Sequence, residues 1–211
     1  MAVLDSLRSD PETTCRSYSF NVDGGTMVSN PMGGGCSVSS NKVNDQVYEL
    51  RVKSGGKDFF FPYMNAGTGG VGECIVPVGQ PDGTLALTGS MNGCAFQANR
   101  TNAGFVFYHD SDGKSLAKRG NVPGQQVCRV EYSTYAGPLL IGERKMIDIN
   151  HDGSGSQAYF QHCVLVVHHE GKWKVFVTGL HSITSLDNPK KKKLVPFTPH
   201  IVACMASFAD V

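Results

Sequence analysis

The sequence predicts an α+β fold dominated by strands: a sandwich of mixed β-sheets with short peripheral helices and long loops, built as a single domain over residues 1–211. Three observations lead there. The chain carries 25 Gly and 10 Pro that punctuate it at short intervals, which leaves room for strands and not for long helices. Between these breaks lie runs of Val, Ile, Phe and Tyr, the residues that fit a pleated, half-buried surface. Finally, 211 residues suffice for one hydrophobic core, and no repeat or shift in composition divides the chain.

Strands are expected, in order, over residues 16–22, 46–53, 57–62, 73–78, 84–88, 104–109, 126–133, 158–168, 172–178 and 200–208. In the second, Val47, Leu50 and Val52 interleave with Glu49 and Arg51 as in a strand with one wet face, with Tyr48 out of phase. The segments 158–168 and 172–178 are joined by His169-Glu170-Gly171, whose glycine suits a tight turn, so they should form a hairpin at the centre of a sheet. Residues 24–44, rich in Gly, Ser and Asn, read as a long surface loop or mobile lid. Lys190 to Lys193, set between Pro189 and Pro196, read as an exposed loop.

Composition excludes several functional classes. With 19 Lys and Arg against 18 Asp and Glu, the formal net charge is +1, so no long-range field attracts nucleic acid or an anionic membrane. The longest strongly apolar run, 163–167, is too short to span a bilayer, and the charged start of the chain lacks the pattern of a Sec-type signal peptide. The seven cysteines are odd in number and widely spaced, with no C-x-x-C pair. They are therefore expected to be mostly reduced and buried, with no structural zinc and no other metal or cofactor.

Chemistry concentrates between residues 88 and 109. Cys94 follows Asn92-Gly93, a dipeptide that makes tight turns and lets a substrate carbonyl approach backbone N–H groups, so Asn92 and Gly93 are candidates to shape an oxyanion hole. The strand-like run from Phe105 to Tyr108 ends in His109, which a neighbouring strand could return to the sulfur. A thiolate–imidazolium pair of Cys94 and His109 would supply a nucleophile and a proton donor together.

This stretch resembles the catalytic core of the cytotoxic necrotizing factor and Burkholderia lethal factor group of bacterial toxins, which share their architecture with the chemoreceptor deamidase CheD. The hallmark there is a Ser-Gly-Cys turn followed by a strand bearing the catalytic histidine. Here Gly93 and Cys94 match, Asn92 stands in place of the serine, and His109 follows Cys94 by fifteen positions. Thr88, six positions before Cys94, matches the threonine that orients the histidine in the lethal factor and in CheD, with Thr84 as the alternative in another register.

The resemblance implies a cysteine-dependent protein-glutamine deamidase with possible transglutaminase side activity: a bacterial toxin, secreted or injected, that modifies a host protein in the host cytoplasm. Rho-family GTPases and a translation-initiation RNA helicase are the two target classes it suggests. A monomer without cofactor is expected. A cysteine protease, or a secreted β-rich binding protein whose cysteines are structural, are the alternatives.

Other constellations have plainer readings. Within 160–168, Cys163, Leu165 and Val167 alternate with His162, Val164, Val166 and His168, as in a strand buried on both faces, which makes Cys163 core. His168 and His169, beside the turn, are expected at the surface, and His181 could lie near the active site. Asp148 to Ser154 imitates half of a calcium loop, but Tyr159 occupies the place of the bidentate glutamate, so a hairpin turn without metal is the reading. Asp110-Ser111-Asp112-Gly113 reads as the turn that ends the His109 strand. The glycines of 67–72 lack the lysine of a phosphate loop, and Trp173 reads as a core or edge aromatic.

Overall fold

The fold was described from a computed structural model, which covers residues 2–65, 67, 69–135, 147–148, 156–185, 192–196 and 204–210. Two short helices open the chain, α1 (Val3–Ser9) and α2 (Pro11–Ser17). Asp10 caps α2 by accepting a hydrogen bond from the Thr13 N–H at 3.1 Å, and Pro11 fills the first helical position, where a missing N–H costs nothing. The strand expected over 16–22 is therefore shorter. Arg16 and Ser17 end a helix, and β1 is Ser19–Asp23.

The remaining strands are β2 (Gly34–Lys42), β3 (Val47–Ser54), β4 (Asp58–Phe61), β5 (Val71–Val76), β6 (Leu85–Thr88), β7 (Ala95–Thr101), β8 (Gly104–Asp110), β9 (Gln125–Val130), β10 (Ile147–Asp148), β11 (Ser156–His169), β12 (Lys172–Ser185), β13 (Lys192–Pro196) and β14 (Cys204–Ala209). A one-turn helix, α3 (Tyr132–Tyr135), takes the end of the strand expected over 126–133. Ten strands form one mixed sheet in the order β1-β3-β2-β4-β6-β11-β12-β13, with β10 beside β11 and β14 beside β12. Its β1–β3 and β4–β6 pairs are parallel. The other four form an antiparallel sheet, β5-β8-β7-β9.

The small sheet packs on one face of the large one. Phe96, Ala98, Phe105 and Phe107 from the small sheet meet Ala86, Val164, Val166, Trp173 and Val175 from the large sheet in one apolar cluster. Ring pairs such as Phe107–Trp173, edge to face at 5.3 Å, add directional contacts to area burial. The opposite face of the large sheet is covered by Val3, Leu7 and Cys15 of the helices, packed on Leu85, Leu87, Leu165, Val167 and Phe176. Burying one such leucine contributes about 1.5–3 kcal/mol. Arg8 fastens α1 to this layer with a fork onto Asp58, at 2.8 and 2.6 Å, while Asp58 Oδ1 also accepts the Leu85 N–H at 2.9 Å.

The central hairpin forms as its turn chemistry directs: β11 and β12 pair through His169 and Lys172, and the two residues between them, Glu170 (φ 55°) and Gly171 (φ 69°), are both left-handed. Two segments depart from expectation. Residues 24–44 are not a lid: they hold a 3-10 turn, Gly25–Ser29, and then β2, an interior strand between β3 and β4. Its polar residues sit there because one face of this part of the sheet is wet, so only Cys36 of β2 is buried. Lys192 and Lys193 are likewise not loop but the start of β13, which pairs with β12. The rest of the lysine run and most of the calcium-loop imitation lie outside the described residues. His168 is buried, against expectation: its ring packs on Trp173, and Asp82 and Asp210 stand beside its two nitrogens. All seven cysteines are free, six of them buried and Cys204 exposed.

Candidate functional site

Thr88 is the last residue of β6 in the large sheet, and His109 lies near the end of β8 in the small one. Both are fully buried, and Thr88 Oγ1 stands 2.6 Å from His109 Nδ1. A hydrogen bond between residues 21 positions apart thus ties the two sheets together at the ends of two interior strands. Thr84, the alternative orienting group, is engaged elsewhere: its hydroxyl donates to the Pro81 carbonyl at 2.8 Å.

From Thr88 the chain crosses between the sheets. Met91 holds the crossing in place by a two-bond bridge to His162 of β11, at 2.7 and 2.9 Å. Gly93 then adopts φ 85°, a left-handed conformation that suits glycine, and delivers Cys94 to the entrance of β7. β7 pairs antiparallel with β8, Ala95 opposite Asp110 and Phe96 opposite His109. The pairing ends at Ala95 and Asp110, so Cys94 lies one residue before the ladder and Ser111 one residue after it, in the turn 111–113.

Cys94, Asn92 and Gly93 line a cavity of about 480 Å³ together with Tyr63, Ser90, Ser111 and Asp112. Tyr63 is 46% exposed, and its ring stands edge to face with the imidazole of His109 at 5.3 Å, forming a wall between His109 and solvent. Cys94 is 5% exposed. Its carbonyl accepts a hydrogen bond from the buried Tyr135 hydroxyl at 2.8 Å, which fixes the peptide that follows the sulfur.

The resting protonation differs from the ion pair expected. Burial without a charged neighbour pushes the His109 imidazole down to about 3, so it is neutral near neutral pH. Burial also pushes the Cys94 thiol up, opposed by hydrogen bonds from the backbone N–H groups of Asn92 and Asp112 and reinforced by the Asp110 and Asp112 carboxylates. The site therefore holds a thiol and a neutral imidazole. His109 Nε2 is buried and makes no hydrogen bond, to Cys94 or to any other described residue.

The structure thus brings Thr88 to His109, and Cys94, Asn92 and Gly93 to one cavity whose lining includes neither Thr88 nor His109, and it makes no hydrogen bond between thiol and imidazole. His181 is not among the cavity residues and packs its ring on Phe160 at 4.4 Å. Cys163 is core, as expected. Sequence reasoning missed Tyr63, Tyr135 and the role of Asp112; a turn was legible at 110–113, but nothing local linked it to Cys94. Among the described residues, no cluster of His, Cys, Asp and Glu is arranged to hold a metal ion, and no helix is long and apolar enough to cross a membrane. No protein-family model matches the chain, and a search of curated proteins finds no match.

Proposed function

We propose that this protein is a cysteine-dependent deamidase of protein glutamine side chains, with Cys94 as nucleophile, His109 as base and Thr88 as the group that orients the base. The observation that carries this reading is the buried 2.6 Å contact of Thr88 Oγ1 with His109 Nδ1 beside a cavity lined by Cys94. With the Nδ1 proton directed to Thr88, the lone pair sits on Nε2, the one ring atom left free to accept a proton.

In the first step Cys94 Sγ attacks the carboxamide carbon, and the thiol proton passes to His109 Nε2. A neutral pair suits this order, because charge separates only as the new bond forms and contacts tighten around bound substrate. The tetrahedral oxyanion is held by backbone N–H groups of the Asn92-Gly93-Cys94 turn. His109 returns the proton to the leaving nitrogen, ammonia departs and a thioester remains. Water, deprotonated by His109, cleaves the thioester to glutamate and frees the thiol; an amine in place of water gives transglutamination.

The cavity suits a neutral carboxamide. Its lining brings serine, asparagine and aspartate side chains and no lysine or arginine to bind a carboxylate. In line with the toxin resemblance, the substrate is a host protein met in the host cytoplasm, of the Rho-family GTPase or translation-initiation RNA helicase class. The test is intact-mass analysis of purified members of both classes after incubation with the protein. Replacement of a single NH2 by OH, lost with Cys94→Ser, is the expected result. A cleaved chain would mean a protease, and unchanged targets would favour a binding protein.

A further inference from the structure

Among the described residues, Asp112 is the one charged side chain on the wall of the cavity that holds Cys94; the rest of the lining is tyrosine, serine, asparagine, glycine and the thiol itself. Local chemistry sets it there. Asp112 and Gly113 are both left-handed, with φ of 60° and 66°, a backbone that aspartate and asparagine tolerate better than other side chains. Asp112 Oδ1 accepts the Lys114 N–H at 3.0 Å and the Ser115 hydroxyl at 3.2 Å. The first of these bonds holds the carboxyl below its ordinary value, so Asp112 is an anion at neutral pH.

The arginines of this region serve other carboxylates. Arg129 pairs with Asp110 at 3.2 Å and with Glu131 at 2.9 Å, and Arg119 pairs with Glu73 at 2.7 Å. No ion pair among the described residues includes Asp112. The cavity measures about 480 Å³, a space about 10 Å across if roughly spherical, which is no more than about one Debye length at ordinary salt. A charge on its wall therefore acts on whatever stands before the sulfur.

We propose that Asp112 is a specificity-determining residue: its carboxylate makes the Cys94 cavity a charge filter that admits a carboxamide and turns away a carboxylate, the product of the reaction included. The two groups are nearly equal in size and shape, and serine and asparagine hydrogen-bond to either, so steric fit does not separate them. Charge does, and a like charge on the wall discriminates by repulsion. Expulsion of the product rests on the deamidase reading. Exclusion of anions from the sulfur does not, and it sets the test.

The probes are iodoacetamide and iodoacetate, two alkylating agents that differ as carboxamide and carboxylate do. Their rates at each cysteine are followed by peptide mass mapping, in the full chain and in Asp112→Asn, at about pH 8 and low salt. Asparagine keeps an oxygen for Lys114 and Ser115 and tolerates the left-handed backbone, so the variant loses the charge and keeps the turn. The preference of Cys94 for iodoacetamide over iodoacetate should fall about five- to tenfold in Asp112→Asn, while that of the exposed Cys204 stays as it was. A change in the thiol's own acidity alters both rates alike and cancels in the ratio. An unchanged ratio at Cys94 overturns the proposal, and so does a Cys94 that reacts with neither reagent, because the sulfur then does not open on this cavity. If Asp112→Asn does not fold, the unaltered chain carries the readout: added salt screens the carboxylate, so the preference should shrink more at Cys94 than at Cys204, and an equal response at both cysteines overturns the proposal. A shifted ratio with no target deamidated would remove the deamidase reading and leave the filter standing, and a flat ratio beside a deamidated target would do the reverse.

Discussion

His109 and His168 are both buried imidazoles, yet their surroundings differ. His109 has a hydroxyl on one ring nitrogen, no hydrogen bond on the other, and against its ring Tyr63, which lines the Cys94 cavity. His168 has a carboxylate near each nitrogen, Asp82 at 3.1 Å and Asp210 at 3.3 Å, and its ring lies edge to face with Trp173 at 5.1 Å. Asp210 in turn accepts the N–H groups of Gly79 and Gln80 at 2.8 and 3.1 Å, so Asp210, with His168 against it, fastens the stretch after β14 to the body. The contrast teaches that burial alone does not make a histidine a catalyst. His109 has a neutral hydroxyl on one ring nitrogen, whereas His168 has carboxylates within ion-pair distance of both nitrogens and a hydrogen bond on neither.

The comparison breaks first at the nucleophile. Cys94→Ser and His109→Ala should each lower deamidation by on the order of a thousandfold or more, measured by mass spectrometry of the target, whereas His168→Gln should leave its rate unchanged. A rate unaltered in Cys94→Ser removes the site altogether.

Thr88→Ala tests what the hydroxyl contributes. It should reduce kcat by roughly ten- to a hundredfold with little change in KM, because the ring loses its orienting partner and not its chemistry. A wild-type kcat in that variant would make the bond structural only.

Stability reports the other histidine. His168→Gln should cost about 1–2 kcal/mol, read as a lowered midpoint in urea, since the buried Asp210 loses a neighbour while the mostly exposed Asp82 is solvated. An unchanged midpoint would deny the fastening role.

The last effect, spread over several pH units, is acid lability. His109 and His162 are lowered by burial from 6.5 to about 3 and about 4 in the folded protein. As pH falls below 6.5 the unfolded chain takes up protons there that the folded chain does not, so stability present above that pH is lost progressively toward pH 3 to 4. Unfolding free energy measured against pH should fall across this window, and less steeply in His162→Phe. A flat profile would mean that these rings are not held neutral.

How much of the site was legible follows from what each residue needs. Gly93 announces itself by turn chemistry, and Cys94 by its place after that turn. β7 escaped notice because Gln97 and Asn99 look like loop residues; they are buried side by side and satisfied by each other at 2.8 Å, a fact of the packed sheet. β2 escaped because glycine and serine disfavour strands locally. At Gly33, φ 50° and a Phe60 carbonyl only 2.1 Å from where a Cβ would sit explain why glycine precedes that strand.

By itself the sequence determined the strand-rich class, the Glu170-Gly171 hairpin and the turn that presents Cys94, all set by dihedral preferences and alternation over a few neighbouring residues. Only the tertiary structure decided that Thr88 meets His109 across two sheets, that the thiol and imidazole rest uncharged, and that the 110–113 turn faces the sulfur. Those outcomes depend on burial and on partners tens of residues away, and the desolvation that sets a proton's place exists only once the core has closed around it.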